Sequence, residues 1–429
     1  MICLGLDIGT SSISAVVMED DRLLAVKSAA NDAWLPGKAW ERIQDPSRIW
    51  KTVIALAEDL LNRFPNVERI GVTGQQHGIV YLDCEGRPLS PLYTWQDGRG
   101  ELPLDGVPCR ERLSELTGCP LATGYGAVTH YYQVRTNAVP ADAVCFCTIH
   151  DWVAMKLAGR STPLLDSSDA ASFGLFDLER NAFNTAAFAK AGMDPAILPS
   201  LAEHTLLGTG DCGIPVYTAI GDNQASFLGA VREDGPSILL NVGTGSQFSI
   251  HVSKPIPDCT LERRPFPTGG LLLVGAGLCG GRAYAMLEQL FRKTTEMVTG
   301  ADPGCCYGAM SRLLMQSPRP EHSLSIRPLF QGTRADPSLR GSIGQIGTDN
   351  FTPAALCWGM LEGMTDELYT MYLDCHGAGE GLPLYGSGNG LRKNPQLCQL
   401  VEERFGRKLQ LSSLPEEAAC GAAVWAARQ

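Results

Sequence analysis

The sequence predicts an α/β protein built as two domains, and three observations carry that expectation. The chain has 429 residues, more than one ordinary hydrophobic core organises, so two domains are expected and three are the upper bound. A strand–loop–strand segment occurs twice, once at the start of the chain and once past its middle. Several helices mark their starts with a capping residue followed by proline.

The repeated segment reads "CLGLDIGTSSISAVVM" from Cys3 and "LLNVGTGSQFSIHV" from Leu239. Each is an apolar strand, then Asp/Asn-x-Gly-Thr-x-Ser, then a second apolar strand. Asp7 matches Asn241, Gly9 matches Gly243, Thr10 matches Thr244 and Ser12 matches Ser246. One such loop alone reads as a plain β-hairpin. Two copies in two halves suggest more. A Gly-Thr hairpin offers backbone N–H groups and hydroxyls without bulk, which suits a phosphate oxygen. A pair facing each other across a cleft would grip a polyphosphate from both sides. Only the first copy keeps an acid: Asp7 is able to anchor a Mg²⁺ shell through water, whereas Asn241 supplies no charge. Neither copy is a Walker loop, and no G-x-G-x-x-G follows a strand in a βαβ context.

The helices follow in chain order. "DPSRIWKTVIALAEDLLNRF" has Asp45 as cap, Pro46 in the first turn, and Trp50, Val53, Ile54, Ala57, Leu60 and Leu61 along one face. "AIGDNQASFLGAV" places Asp222 at a strand-to-helix turn, where the plain reading is a helix cap worth about 1 kcal/mol. The seam between domains is expected in "REDGPS", 232 to 237, giving domains 1–234 and 235–429. Thr352 and Pro353 start "TPAALCWGMLEGMTDELYTMYLDC", which leads to the strand "LPLYGSG". "NPQLCQLVEERFG" has Asn394 as cap, Pro395 inside and Gly406 past its end. The last helix, "PEEAACGAAVWAAR", is Ala- and Gly-rich on one side, so a neighbour is able to approach closely.

Composition excludes several classes. A net charge of -11, with no basic run longer than "RKN" or "GRK", argues against a nucleic-acid partner. The start "MICLGLDIGTSS" has no basic region before its apolar residues, so no signal peptide is expected. No apolar run approaches the roughly 20 residues that span a bilayer. Fifteen cysteines then read as reduced thiols of a cytoplasmic protein, and neither paired C-x-x-C nor H-E-x-x-H occurs to suggest a structural metal.

Taken with these features, the stretches "GVTGQQHGIVYLD", "YTWQDGRG", "TGYGAVTHYY", "TIHDWVAMKLAG", "DSSDAASFGLFD", "GDNQAS", "YGSGNGLRKNP" and "EEAACGAAVWAA" resemble the FGGY carbohydrate kinases nearly end to end. The resemblance is greatest to the sedoheptulose-phosphorylating branch. It implies two actin-like (ribonuclease H-like) ATPase domains with an interdomain cleft, Mg²⁺ and ATP, and phosphorylation of a sugar's primary hydroxyl. Sedoheptulose is the favoured substrate, with xylulose or another polyol as the alternative. By the same resemblance Asp222 is the catalytic base. Gln75, Gln76, His77, Trp95, Asp97, Arg99 and Asn223 are substrate-binding. Asp7, Thr10, Ser11, Ser12, Gly243, Thr244, Gly386, Ser387 and Asn389 bind nucleotide, Asp7 also holding Mg²⁺ through water.

Bland readings stand beside these. Asp97 and Arg99 also read as a loop salt bridge, and Thr148–Trp152 and Asp166–Ser172 as structural. Two departures from the family pattern are visible: "THYYQVRTN" lacks the Lys and Trp of the family's first signature, and the second lobe is short. An actin- or chaperone-like ATPase without a sugar substrate is the alternative of a different class. The expected partner is a small sugar, with no nucleic acid and no membrane, and a homodimer left open.

Overall fold

In the computed structural model, which describes residues 1–202, 205–231, 235–333, 336 and 338–429, each repeated segment forms the central hairpin of a sheet. The chain groups into two compact units, Met1–Arg232 with Arg264–Gly270 and Leu414–Gln429, and Glu233–Arg263 with Leu271–Ser413. The seam expected at 232–237 falls in part on 232–234, outside the described residues. Segments 264–270 and 414–429, which a simple division at 234/235 assigns to the second domain, group with the first unit.

In the first unit, strand Ile2–Ile8 is buried along most of its length, as suits a strand covered on both faces. It pairs antiparallel with Ser12–Glu19, which pairs antiparallel with Arg22–Ala30. On its other side it runs parallel to Arg69–Gly74. A parallel neighbour requires a crossover, and helix Pro46–Arg63 provides one. Asp45 caps that helix, accepting from the Ser47 and Arg48 backbone N–H groups at 2.8 and 3.4 Å. Its buried stripe is Ile49, Val53, Leu56, Ala57 and Leu60. The stripe is thus rotated from the expected one, and Trp50, Ile54 and Leu61 lie half-buried at its edge.

The terminal helix Glu417–Ala427 packs on this sheet with almost no side chain between. A Cβ on Gly5 would lie 2.0 Å from the Ala419 carbonyl oxygen, and one on Gly71 would lie 1.9 Å from that of Ala422. The helix also meets Asp222–Ala230, where Gly421 lets it approach the Ala225 carbonyl. Trp425 is fully buried and donates its indole N–H to the Thr218 carbonyl at 3.0 Å. Small residues on one helix face therefore fix the height of the Asp222 helix above the sheet.

The second unit repeats the pattern. Strand Ile238–Val242 pairs antiparallel with Ser246–Val252, which pairs antiparallel with Leu271–Gly277. On the other side it runs parallel to Leu384–Ser387, itself parallel to Leu409–Leu411. Helices Gly280–Thr299, Tyr307–Gln316 and Pro353–Leu373 fill the crossover. Thr352 and Asn394 cap their helices through Ala355 and Leu397, and Gly406 takes the left-handed conformation at the end of Pro395–Phe405, with φ 66°.

Candidate active site

Strand Ile220–Gly221 lies parallel to Arg69–Gly74 and delivers the chain to the start of helix Asp222–Ala230. The cap of that helix is Gly221, and Asp222 is its first residue. The plain reading of Asp222 as a helix cap is therefore corrected: it stands one position further on, in the first turn of the helix. It accepts from Asn223 Nδ2 at 2.8 Å and from the Asn223 backbone N–H. Asp222 is partly exposed. Burial pushes its carboxyl above the ordinary range, while Arg264, His150 and the Asn223 hydrogen bonds pull the other way.

Gly221 admits no side chain, because a Cβ there would lie 1.8 Å from Gln76 Nε2. Gln76 is buried, donates to the Ser168 carbonyl at 3.0 Å and accepts from Arg264 Nη1 at 3.0 Å. Gln75 is buried too. It donates to Gln44 Oε1 at 2.9 Å and accepts from Thr10 Oγ1 at 3.2 Å. Both amides, read from the sequence as sugar contacts, have donor and acceptor ends engaged with protein.

His77 takes a left-handed conformation, with φ 71°, and stacks on Tyr125 with ring centroids 4.7 Å apart. Its Nδ1 lies 2.6 Å from the Ser172 carbonyl. A carbonyl only accepts, so Nδ1 carries a proton. Trp95 is 42% exposed and donates to Thr10 Oγ1 at 2.9 Å. Thr10 thus ties the first loop to both Trp95 and Gln75, while Ser11 and Ser12 stand exposed at the loop tip.

Asp97 and Arg99 are buried and bonded to one another, Arg99 Nε donating to Asp97 Oδ1 at 2.6 Å and Nη2 to Oδ2 at 3.2 Å. The guanidinium also covers the Tyr93 ring at 4.0 Å. Of the two readings for this pair, the geometry is that of a buried brace for the loop carrying Trp95.

Asp7 is partly exposed at the end of its strand, yet its Oδ1 is buried without a hydrogen-bond partner among the described residues. Burial, then the nearby Asp222 and Glu416 carboxylates, push its carboxyl up to about 7. An unpartnered, hard oxygen under that repulsion fits a divalent cation's water shell. Two buried groups that sequence reading took as structural lie near Asp222: His150 Nε2 is 2.8 Å from Asp169 Oδ1. Burial lowers the one and raises the other, each toward its uncharged form.

The second unit holds a cavity of about 860 Å³, lined by Gly243, Thr244, Asn389 and, among others, Tyr284, Met364 and Lys393. Gly386 and Ser387 are buried in the strand leading to this cavity, where Ser387 Oγ accepts from Asn241 Nδ2 at 2.9 Å. Sequence reading missed Tyr284 and Lys393. A signal for the former was available in "CGGRAY": a Cβ on Gly280 or Gly281 would lie 2.4 Å from the backbone of the second loop, so the helix that carries Tyr284 starts against it. Arg264 was missed as well, and no motif marks it.

The model of the FGGY family of carbohydrate kinases, N-terminal domain, matches residues 2–229. The chain is similar to the sedoheptulokinase of Homo sapiens, 27% identical over 475 aligned residues that cover 99% of this chain and 96% of that one. It is also similar to the xylulose kinase of Staphylococcus xylosus, 23% identical over 99% of this chain and 90% of the relative. Among solved structures, the xylulose kinase from Rhodospirillum rubrum superimposes with a TM-score of 0.85 at 23% identity, covering 100% of this chain and 89% of that one. This is the expected two-domain actin-like fold. Among the described residues, no helix is long and apolar enough to cross a membrane. The family match takes in more than half of the chain and the whole path from the first loop to the Asp222 helix; the chain belongs to the FGGY family of carbohydrate kinases, enzymes that use ATP.

Proposed function

We propose that the protein phosphorylates the primary hydroxyl of a ketose, sedoheptulose foremost, with Asp222 as general base and Mg-ATP as donor. The observation that supports this most directly is Asp222 itself, a partly exposed carboxylate at a helix tip with Asn223 fixing its orientation. In the reaction the sugar hydroxyl gives its proton to Asp222 as its oxygen bonds to the γ-phosphorus. The bond from that phosphorus to the bridging oxygen breaks, and ADP leaves. The transition state is loose, so alignment of the hydroxyl contributes more than the strength of the base.

The remaining residues bind and orient. The exposed Trp95 face suits the apolar face of a sugar ring or chain, with the His77 ring, stacked on Tyr125, as a neighbouring polar group for a hydroxyl. Asn223 holds the base and is available to the same hydroxyl. Thr10, Ser11 and Ser12 of the first loop and Gly243 and Thr244 of the second are phosphate-binding groups, and Asn389 with Tyr284 suits adenosine. Asp7 is the residue that would hold Mg²⁺ through water, a cation that supplies charge neutralisation to the β- and γ-phosphate oxygens.

The test is a phosphorylation screen of three- to seven-carbon ketoses and polyols with Mg-ATP. Sedoheptulose is expected to give the highest kcat/KM. A preference of about tenfold or more for xylulose, glycerol or gluconate overturns the substrate, because contacts to hydroxyls discriminate by at least that much.

A further inference from the structure

We propose that His150, Asp151 and Asp169 form a structural site for a divalent transition-metal ion of the Zn²⁺ or Mn²⁺ kind, behind the strand end that leads to Asp222. Such an ion is distinct from the Mg²⁺ that accompanies ATP, and the inference does not depend on the role given to Asp222.

Local structure brings the three residues together. Thr148 caps helix Ile149–Leu157, accepting from the Asp151 N–H at 3.1 Å, which places His150 and Asp151 in its first turn. Asp166 caps the short turn Ser167–Ala170 through the Ser168 N–H at 2.9 Å, and Asp169 follows within that turn. His150 and Asp169 are 0% exposed and Asp151 is 2% exposed. One nitrogen or oxygen from each lies within 4.8 Å of the others. An ion with bonds of about 2.0–2.2 Å reaches all three once each shifts by about half an ångström.

The cluster is marked by the hydrogen bonds it does not make. Asp151 Oδ2 accepts from Thr148 Oγ1 at 2.6 Å, and Gln76 Nε2 reaches Asp169 Oδ1 at 3.5 Å. The other oxygens, Asp151 Oδ1 and Asp169 Oδ2, and both ring nitrogens of His150 have no hydrogen-bond partner among the described residues. His150 Nε2 comes to 2.8 Å from Asp169 Oδ1, yet off the direction that a hydrogen bond requires. Buried polar atoms are almost always paired, so four unpaired ones in one cluster call for a ligand. Protons do not resolve this: a proton on either free oxygen turns an unpartnered acceptor into an unpartnered donor. A divalent cation does. The two carboxylates cancel its charge, their free oxygens and one ring nitrogen become its ligands, and the other ring nitrogen keeps a proton. Thr148 and Gln76 then orient the ligand carboxylates from behind. One imidazole with two carboxylates suits Zn²⁺ or Mn²⁺ better than Mg²⁺, which prefers oxygen ligands and keeps several waters.

The place of the cluster gives the ion a purpose. The turn Ser167–Ala170 also presents the Ser168 carbonyl to Gln76 and the Ser168 hydroxyl to the Gly221 N–H, at 3.0 and 3.3 Å. An ion joining this turn to helix Ile149–Leu157 therefore braces the residue that precedes Asp222.

The test uses the full-length protein, purified without a metal-chelating column and freed of loose ions by gel filtration in EDTA. Metal content is measured by mass spectrometry for wild type, D169N, H150Q and D7N, the last to remove the cation expected with ATP. Wild type and D7N should each retain about one transition-metal ion per chain, and D169N and H150Q at most about a tenth of one. Less than about a tenth in wild type, or an ion that survives both D169N and H150Q, overturns the proposal in favour of a buried water or a site elsewhere. Should those two variants fail to fold, wild type and D7N are unfolded in guanidinium and refolded with ZnCl₂, with MnCl₂ or with EDTA alone. Refolding with one of the two metals is then expected to raise the melting temperature by roughly 10 °C in both proteins, and equal melting temperatures overturn the proposal.

Discussion

Replacing Asp222 by asparagine isolates the carboxylate's charge, because the structure leaves little else to change. The Asn carbonyl oxygen still accepts both hydrogen bonds from Asn223, and the cap belongs to Gly221. Stability should respond in an unusual direction. The folded-state carboxyl is raised above its unfolded value, so the stability it contributes is complete below the unfolded value and lost as pH rises through the folded one. Wild type therefore carries a burial cost at pH 8 that Asp222→Asn lacks. Against that stands the lost attraction to the helix N-terminus, about 0.3–1 kcal/mol. The variant should melt at or slightly above the wild-type temperature at pH 8, and the gap should shrink or reverse at pH 4. Turnover should fall by roughly 10²–10⁴, which is about 3–5 kcal/mol of barrier, with ATP affinity little changed. Coupled ADP release, nucleotide titration and thermal melts at the two pH values cover all three quantities. Near-normal turnover would refute the base assignment, and a large drop in melting temperature would show that the lost activity reports on folding.

The other perturbations separate the remaining roles. Asp7, with its carboxyl near 7 against an ordinary value of 3.8, should make the metal-free protein less stable as pH rises from about 4 to about 7, and Asp7→Asn should flatten that slope in urea denaturation. The same variant should regain part of its turnover in excess Mg²⁺, whereas Asp222→Asn should not; equal rescue of both would argue against a cation role for Asp7. Trp95→Ala should raise the KM for sugar by about tenfold and leave ATP affinity alone, the loss of one aromatic contact; an unchanged KM removes Trp95 from the sugar site. Gly421→Ala should cost about 1–3 kcal/mol or more, because its methyl would lie 1.7 Å from the Ala225 carbonyl oxygen, and an unchanged melting temperature would contradict the close packing of the terminal helix.

What was legible in the sequence is what local chemistry decides. Asp45, Thr352 and Asn394 cap the helices they precede because a cap is settled within four residues. The two Gly-Thr loops were legible because one recurs, and recurrence separates a built feature from a common hairpin. The Ala/Gly face of the last helix was legible as an invitation to close contact, though its partners were not. The losses are non-local. Gln75 and Gln76 look like open amides in "TGQQHG", and only the folded chain shows Gln44, Thr10, Ser168 and Arg264 closing on them. Asp97 and Arg99 are two residues apart and face a sugar or each other depending on burial, which no pattern in "WQDGR" reports. Arg264 is 188 residues from Gln76 in sequence, and "ERRPF" carries nothing that distinguishes a buried guanidinium from one on a surface.

The two loops finally differ in a way that their shared backbone makes informative. Each hairpin turns at Gly-Thr between antiparallel strands that pair to the loop's edge, Ile8 with Ile13 and Val242 with Ser246. In the second copy Asn241 is satisfied, donating to Ser387 Oγ, and the position bears no charge. In the first copy Asp7 has an oxygen with no partner among the described residues and a proton affinity raised by burial and then by the neighbouring carboxylates. Ordinary selection for stability would replace such an acid with asparagine, and the second copy shows that this backbone accepts the exchange. A carboxylate kept at a cost on one copy alone is explained by a ligand that repays it, and a hard cation is the ligand class that an unpartnered carboxylate oxygen prefers. A neutral loop is better matched to an anion approached directly, since a second carboxylate there would repel it. The duplication therefore yields one fold element with two electrostatic settings, a charged one at Asp7 and a neutral one at Asn241, which is what the proposed division between a cation-bound phosphate and a phosphate alone would require.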